Sequence, residues 1–282
     1  MVLATASYEV NDTLMKLATF GLPPYEVLFL RGVAATIWAV PLLLALSLGR
    51  QIPLMLRGSV LLRNGLELLA ILSFIIALAN MPIADATALG QITPILVVLG
   101  ASLVFGERLG WRKSTLVGLG FVGAVMVAQP SLQGISLYAL LAISNAVFSA
   151  ARDIASRRVP SHVPALVVAV GATLVVLVGA GLMHLAFEDW VLPSGRHLLL
   201  LGAAGLFLLG GHSFIFMAYR VGPAITVAPF FYSFSLWAVI SGMFVFGDRP
   251  NLLALGGIAV VIASGISVVL LDKRRARPVP IA

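Results

Sequence analysis

The sequence predicts an all-α polytopic membrane protein in which ten transmembrane helices form two inverted five-helix repeats. Three observations lead to this fold class: an apolar composition, ten apolar segments joined by short turns, and a register in which the chain aligns with itself. Of the 282 residues, 60% are hydrophobic and 10% are charged, and the mean hydropathy is +1.07. Soluble domains carry about 25% charged residues, so we expect much of this surface to face lipid.

The charge distribution and the missing motifs exclude several function classes. The formal net charge is +7, but Lys and Arg occur in short groups between apolar runs, whereas a nucleic-acid binder needs one basic face. The sequence has no cysteine, which excludes disulfide frameworks and thiolate metal sites. It also lacks the G-x-x-x-x-G-K-[ST], H-E-x-x-H and G-x-S-x-G motifs. We therefore expect no enzyme activity, no cofactor, no metal and no ATP site.

Apolar runs of about 20 residues, the length that crosses a bilayer, follow one another along the whole chain. The predicted segments are 3–20, 25–48, 59–79, 84–105, 114–129, 134–156, 163–184, 197–218, 223–246 and 252–271. Their connections are short and rich in Gly and Pro, so consecutive helices must run antiparallel. The first residues predict no cleavable signal peptide, and their abrupt start leaves open whether the N-terminus is native or trimmed.

The basic residues predict the orientation, because Lys and Arg accumulate on the cytoplasmic side of a membrane protein. With the N-terminus inside, the outer ends hold only Lys16, Arg31, Arg196 and Arg249. The inner ends hold Arg50, Arg57, Arg108, Arg112, Lys113, Arg152, Arg157, Arg158 and Arg220, and the tail adds Lys273, Arg274, Arg275 and Arg277. Both termini are therefore expected in the cytoplasm.

An offset of 141 residues, half of the chain, aligns the sequence with itself in one ungapped register. The aligned pairs include Asp12 and Asp153, Lys16 and Arg157, Pro23 and Pro164, Ala77 and Ala218, and Pro82 and Pro223, and residues 104–108 (VFGER) align with residues 245–249 (VFGDR). We divide the chain into a first repeat, residues 1–131, and a second repeat, residues 132–282, which ends in a short basic cytoplasmic tail. Because five is an odd number, the second repeat must be inverted. Inverted repeats are typical of secondary transporters, which expose a midplane site alternately to each side.

The repeated residues resemble those of the drug/metabolite transporter superfamily, EamA type. The first copy is Ala77, Leu78, Pro82, Pro94, Phe105, Gly106, Glu107 and Arg108, and the second is Ala218, Tyr219, Pro223, Phe246, Gly247, Asp248 and Arg249. The resemblance covers essentially the whole chain and is strongest to bacterial exporters of amino acids, including aromatic ones. It implies a location in the bacterial inner membrane and a central cavity lined mainly by segments 1–4 and 6–9. Asp248 replaces the usual glutamate of the second turn.

Charged residues within the apolar segments are the first site candidates, since a charge in the bilayer is costly unless it has a partner or a function. Glu9, Asp12 and Lys16 share one face of segment 1. Asp12 and Lys16 form either an internal ion pair or part of the cavity, and Glu9 has no evident local partner. Glu67 either pairs with Arg63 one turn earlier or lines the cavity.

Segments 6 and 8 add further candidates. Asn145 and Ser149 lie one turn apart and deep in segment 6, whereas we interpret Arg152 and Asp153 as packing or topology residues near its cytoplasmic end. His212 belongs to the residue type whose charge changes near physiological pH, so it either couples transport to protons or bonds a backbone carbonyl. The candidates for proton coupling are Glu9, Glu67 and His212.

Segments 4 and 9 complete the predicted cavity. They contribute Gln91, Tyr232, Ser235 and Trp237. The aromatic residues around Tyr232 form either a substrate-facing wall or ordinary packing. Pro94 and Pro229 are either hinges or static kinks, because a proline in a spanning helix frees a carbonyl and bends the helix.

Small residues recur at every fourth position in segments 5 and 10. They are Gly120, Ala124 and Ala128 in the first, and Ala259, Ala263 and Ser267 in the second. Such faces allow helices to approach closely, either within one chain or in a homodimer.

The leading hypothesis is a secondary transporter that exports small metabolites, with amino acids as the expected class. The expected partners are a small-molecule substrate and the lipid bilayer, with no nucleic acid. The alternatives are transport of a sugar, a nucleobase or a cationic drug, and a membrane receptor without transport. Unpaired acidic residues in the cavity favour a cation, and a receptor has no need of an inverted repeat.

Overall fold

The computed structural model describes residues 1–80, 89–106, 110–128, 137–247 and 251–275. Within these ranges the chain is helical and contains no strand. The eleven α-helices are α1 (Val2–Ala18), α2 (Pro24–Ala45), α3 (Gly58–Asn80), α4 (Thr93–Phe105), α5 (Trp111–Ala128), α6 (Leu137–Ser156), α7 (Ala165–Phe187), α8 (Gly195–Val221), α9 (Ala224–Val227), α10 (Ser233–Ser241) and α11 (Leu252–Arg275). A 3-10 helix at Gly49–Leu56 precedes α3, and a 3-10 helix at Ala228–Tyr232 and a π-helix at Gly242–Phe246 flank α10.

Six helical stretches are long and apolar enough to cross a membrane. They are Pro24–Ala45, Gly58–Ala77, Leu137–Ser156, Ala165–Phe187, Gly195–Val221 and Ala228–Phe246. The prediction of an all-α membrane protein is confirmed at this level, whereas the count of ten spans and the inverted relation of the repeats stay predictions. Pro82, the charged residues of both Phe-Gly turns, the boundary at residues 131 and 132, and Arg277 lie outside the described residues.

The helix boundaries follow local signals in the sequence. Pro24 is the first residue of α2, where its missing N–H costs no hydrogen bond. Ser194 caps α8 by accepting from the backbone N–H of His197 at 3.3 Å. Gly106 and Gly247 end their helices with φ angles of 66° and 74°, a left-handed conformation that glycine adopts without a steric penalty. These two glycines are 141 residues apart.

The predicted segment at residues 223–246 is interrupted rather than continuous. Pro229 lies in the first turn of the 3-10 stretch that separates α9 from α10. Pro94 is the second residue of α4 and follows a turn at residues 91–92. Proline is tolerated in a first turn because the N–H it lacks has no intrahelical partner there. Both prolines therefore mark the start of a helical stretch after a break.

The main helix pairs join the first predicted repeat to the second. The helix α3 packs against α6, α1 against α8, α2 against α7, and α5 against α11. Apolar clusters fill these contacts, and one of them brings together the buried residues Ala35, Val167 and Leu209. Because each pair crosses the predicted boundary, the two halves form a single packed unit.

The contact between α5 and α11 depends on glycine. A Cβ atom on Gly257 would lie 2.6 Å from the carbonyl oxygen of Gly123, and one on Gly123 would lie 2.8 Å from that of Gly257. The predicted small face of α5 is buried here, with Ala124 fully covered. The predicted face of α11 is not, because Ala259 and Ala263 are exposed. The close approach within the chain therefore uses a different face of α11 from the one expected.

Replacing Gly257 with alanine is expected to destabilise the protein by about 1–3 kcal/mol, as overpacking typically does. The added methyl group would meet the backbone of α5, which has no rotamer to change. The measurement is thermal unfolding of the purified protein in detergent.

The matched control is Gly256→Ala, where the nearest atom to the added Cβ is the flexible Cε of Met126 at 3.5 Å. Its unfolding temperature is expected to stay near that of the wild type. Equal unfolding temperatures for the two variants would contradict the assigned helix contact.

Candidate functional site

Four charged side chains form a buried chain of alternating sign where α3 meets α6. Glu67 Oε2 lies 3.3 Å from Arg63 Nη2 and 3.0 Å from Arg152 Nη1. Arg152 Nε in turn donates to Asp153 Oδ1 at 2.8 Å. The exposed fractions are 0% for Arg63, 7% for Glu67, 6% for Arg152 and 1% for Asp153. Burying a single unpaired charge costs several kcal/mol, and the alternation offsets that cost because each charge has a neighbour of opposite sign.

The sequence positions explain why these groups meet. Arg63 and Glu67 are four residues apart on α3 and therefore lie on the same face. Arg152 and Asp153 lie in the last turns of α6, which packs along α3. The two acids balance the two guanidinium groups, so the chain of four is neutral as a whole.

A tyrosine–histidine pair connects this chain of charges to α1 and α8. The hydroxyl of Tyr8 lies 2.7 Å from Nδ1 of His212, and the two rings make an edge-to-face contact with centroids 5.5 Å apart. The same nitrogen lies 3.9 Å from Oε2 of Glu67. Gly211 makes this contact fit, since a Cβ there would lie 2.8 Å from the Tyr8 ring. His212 thus bonds a tyrosine hydroxyl rather than the backbone carbonyl that we expected as one alternative.

Several buried polar atoms around the chain of charges have no hydrogen-bond partner among the described residues. The donors are Nε and Nη2 of Arg63 and Nδ2 of Asn64, and the acceptor is Oδ2 of Asp153. Arg63 and Asn64 are completely buried. Buried polar groups in folded proteins nearly always have partners, so this cluster has spare capacity for both a donor and an acceptor.

Glu9 lies apart from these charges, where α1 contacts α10. Ser241 Oγ donates to Glu9 Oε1 at 2.6 Å, and Thr13 Oγ1 donates to the same oxygen at 3.3 Å. Ser241 Oγ also lies 3.0 Å from the carbonyl oxygen of Ala238. The predicted absence of a local partner is therefore corrected to a set of hydroxyl partners, one of them in the second repeat.

Asp12 and Lys16 have separate partners. Asp12 Oδ1 accepts from Asn11 Nδ2 at 2.8 Å. Lys16 Nζ lies over the ring of Phe246, 4.2 Å from its centroid. The ion pair considered from the sequence is therefore replaced by an amide–carboxylate bond and a cation–π contact, which is an attractive arrangement for an ammonium group.

The remaining candidates lie around this centre or away from it. Gln91 Nε2 donates to Ser235 Oγ at 3.0 Å, which links the breaks before α4 and α10. Asn145 and Ser149 bond each other on α6, with Ser149 Oγ donating at 3.4 Å. Tyr232 is fully buried in an apolar cluster with Val98, Val117, Ala124 and Val261.

Tyr232 and Trp237 both carry unpartnered buried donors. The hydroxyl of Tyr232 and Nε1 of Trp237 have no hydrogen-bond partner among the described residues. The Tyr232 ring lies against Gly120 of α5, whose added Cβ would be 2.5 Å from Cδ2 of the ring. Tyr232 therefore packs toward α5 and not toward the charges between α3 and α6.

Sequence reasoning missed three members of the centre. Arg152 and Asp153 were assigned to packing or topology at a helix end, but both are buried in the chain of charges. Arg31 was assigned to an outer end, but it is 3% exposed and donates to the sulfur of Met15 at 3.0 Å. The alignment of Asp12 with Asp153 was the available signal, because Asp12 was already a site candidate.

A surface groove of about 370 Å³ lies elsewhere, between the start of α5 and the end of α11. It is the best-formed cavity by shape, but Trp111 and Leu271 at its two sides are remote from the buried charges in the sequence of contacts. We assign the candidate site to the charged centre, because chemistry and burial coincide there and not in the groove.

Comparison with known proteins identifies the relatives of the chain. The model of the EamA-like transporter family matches residues 1–129 and 136–271. The pseudopaline exporter of Pseudomonas aeruginosa is 29% identical over 93% of this chain and 92% of its own. The riboflavin transporter of Vibrio cholerae is 27% identical over 98% and 94%, and the S-adenosylmethionine uptake transporter of Rickettsia prowazekii is 24% identical over 97% and 92%.

A solved crystal structure has the same fold. It superposes with a TM-score of 0.82 over 96% of this chain and 97% of that chain, at 21% identity. The likeness extends over the described helices as one unit, in agreement with their packing across the predicted repeats.

Replacing Arg152 with glutamine is expected to lower the free energy of unfolding by about 3–5 kcal/mol, the usual loss when one partner of a buried ion pair is removed. Glu67 and Asp153 would both lose a charged neighbour. The measurement is denaturant or thermal unfolding in detergent.

Arg158→Gln is the matched control, since Arg158 is an exposed arginine just beyond the end of the same helix. A loss of about 0.5 kcal/mol or less is expected for an exposed position. Similar losses in the two variants would show that the buried charges do not stabilise the fold.

Proposed function

Since this chain belongs to the EamA-like transporter family, we propose that it exports amino acids across the bacterial inner membrane by alternating access. Its relatives carry small metabolites, so the chain is a multi-pass transporter of small molecules and not an enzyme. The amino-acid class, the direction and the alternating mechanism are our proposal. The observation that carries it is the neutral set of buried charges between the two predicted repeats.

Alternating access requires two halves that can rearrange about a central site, and the helix contacts support this arrangement. Under the offset of 141 residues, α1 corresponds to α6, α3 to α8, and α4 to the α9–α10 stretch. The contact of α3 with α6 then corresponds to that of α8 with α1, and the contact of α4 with α6 to that of α10 with α1. Both members of each pair exist, as an inverted repeat requires.

Two cation–π contacts follow the same rule. Lys16 lies over Phe246 at 4.2 Å, and Arg157 lies over Phe105 at 4.7 Å. Adding 141 to Lys16 and to Phe105 gives Arg157 and Phe246. Each Phe-Gly turn therefore meets the cation of the first helix of the other repeat, which places equivalent contacts at opposite ends of the proposed pathway.

The charge balance distinguishes the substrate classes. A cationic drug favours a site with excess acid, and a sugar or nucleobase has no need of buried full charges. Here Arg63 and Arg152 are balanced by Glu67 and Asp153. A balanced set of charges suits a molecule that carries one positive and one negative group, which describes an amino acid at neutral pH.

Glu9 is the proposed proton-coupling residue. The single hydroxyl proton of Ser241 can serve either Glu9 or the carbonyl of Ala238. Ionised Glu9 accepts that proton, whereas protonated Glu9 donates to Ser241 Oγ and releases the Ser241 proton to Ala238. Both forms are thus hydrogen-bonded, so a proton can be taken up and released without an unpaired group.

Glu67 and His212 are less suited to carry a proton. Two guanidinium groups compensate the charge of Glu67, and protonation would leave them without their shared partner. His212 is bonded through Nδ1 to the Tyr8 hydroxyl. We therefore assign these two residues to the substrate site and Glu9 to coupling.

Cytoplasmic termini and a homodimer stay predictions. The exposed face of Ala259 and Ala263 on α11 is the surface through which a second copy would pack closely.

Purified protein in liposomes is expected to catalyse counterflow of labelled amino acids. Vesicles loaded with one unlabelled amino acid should accumulate the labelled form, and protein-free vesicles should not. Parallel assays use a sugar, a nucleobase and a cationic dye. Absence of counterflow for every amino acid, or counterflow of another class alone, would overturn the proposed substrate class.

Glu9→Gln is expected to abolish the response of amino-acid transport to an imposed pH gradient while leaving counterflow intact, because glutamine mimics only the protonated form. Asp189→Asn is the control, since Asp189 is exposed in the loop after α7 and should leave the response unchanged. A pH-gradient response that survives Glu9→Gln would exclude Glu9 as the coupling residue.

A further inference from the structure

We propose that a zwitterionic headgroup binds by replacing the ion pair between Glu67 and Arg152, with the substrate carboxylate on the arginines and its ammonium on the acids. This inference rests on the proposed function and deepens it, because it assigns the chemical groups of the substrate to named atoms. It also makes the contact between α3 and α6 the point at which substrate acts on both repeats.

The unpartnered atoms indicate where each headgroup charge goes. On the α3 side, Nε and Nη2 of Arg63 lack hydrogen-bond acceptors. A carboxylate is the best acceptor for a guanidinium, which presents a planar row of N–H donors. A substrate carboxylate that bridges Arg63 and Arg152 would therefore supply the missing acceptor while taking over the role of the Glu67 carboxylate.

The opposite charge has an equivalent position. Oδ2 of Asp153 is buried and has no donor, although Oδ1 of the same group accepts from Arg152. Glu67 would lose Arg152 as its partner when the substrate carboxylate enters. An ammonium group has three N–H donors, which is sufficient to serve both acids. The zwitterion thus completes hydrogen bonds at both ends of the chain of charges.

Electroneutrality is the reason for the preference. The Glu67–Arg152 contact joins one negative and one positive group, and a zwitterion inserted between them presents the complementary pair. No buried charge is left alone at the end of the exchange. An amine alone would strand the arginines and a carboxylic acid alone would strand the acids, and each stranded charge carries a large desolvation cost.

The location gives the exchange a mechanical consequence. Glu67 belongs to the first predicted repeat and Arg152 to the second, and their ion pair crosses between α3 and α6. Inserting a headgroup removes this direct bond and substitutes a bridge through the substrate. Substrate binding therefore changes the connection between the two halves at their most heavily charged contact.

The first test uses ligands that share a side chain and differ only in the headgroup. The probes are L-phenylalanine, 2-phenylethylamine and 3-phenylpropionate, together with L-leucine, 3-methylbutylamine and 4-methylpentanoate. Binding to the full-length protein in detergent is measured by thermal shift and by titration calorimetry. In at least one set, the amino acid is expected to bind about tenfold or more tightly than either partner ligand, a difference of about 1.4 kcal/mol.

Two substitutions convert this preference into a specificity change. Glu67→Gln removes the acid opposite the arginines, so the affinity ratio of the carboxylic acid to the amino acid should rise about tenfold, the factor that corresponds to about 1.4 kcal/mol. Arg152→Gln should raise the ratio of the amine to the amino acid in the same way. A residue with a purely structural role would weaken all three ligands equally and leave both ratios unchanged.

Controls keep the test interpretable where folding is impaired. Glu67→Asp retains the charge and should retain the zwitterion preference at reduced affinity. Glu188→Gln alters a partly buried carboxylate that pairs with His184 at 3.1 Å, away from the α3–α6 contact, and should leave the ratios unchanged. Ratios are compared only within one folded preparation, so a loss of stability common to all ligands cancels.

The outcomes separate this inference from the proposed function. Equal binding of the three headgroups, no binding of either ligand set, or ratios that Glu67→Gln and Arg152→Gln leave unchanged would overturn the headgroup site. Amino-acid counterflow together with any of these results would leave the proposed function standing. Headgroup discrimination without counterflow would support the site and overturn export.

Discussion

The ion pair between Glu67 and Arg152 is the contact on which the centre of this protein depends. It lies where α3 packs against α6, and its charges are almost fully excluded from the surface. Arg63 and Asp153 extend it on either side, so that no member is without an opposite neighbour. A buried charge that loses its partner is far more costly than one exposed to water, so these side chains constrain the relative position of the two helices.

The scaffold around this contact repeats, but the charges do not. Asn11 donates to Asp12 at 2.8 Å, and at the equivalent positions Arg152 donates to Asp153 at the same distance. The exchange of an amide for a guanidinium places an additional positive charge in the second repeat. Glu67 supplies its counter-charge from the first repeat, where the equivalent residue in the second is Leu208. The two halves thus share a backbone arrangement and differ in the chemistry they bring to the middle.

Several elements of the fold were predictable from local patterns. The Phe-Gly turns end in glycine, and the structure places Gly106 and Gly247 in the left-handed conformation that favours this residue. The position of Arg152 was less accessible. Its place near the end of an apolar segment suggested a cytoplasmic cation, yet α3 covers it and leaves it 6% exposed. Depth along one helix is a local property, whereas burial depends on the neighbouring helix.

The sequence by itself determined that this is an all-helical membrane protein of a transporter family, because hydropathy, turn residues and the repeated Phe-Gly block are encoded in short stretches of chain. The tertiary structure alone decided which polar groups meet. Glu67 and Arg152 are separated by 85 residues and Tyr8 and His212 by 204. No local pattern specifies such pairs, since they depend on the rotation and offset of packed helices, and these are set by the whole core.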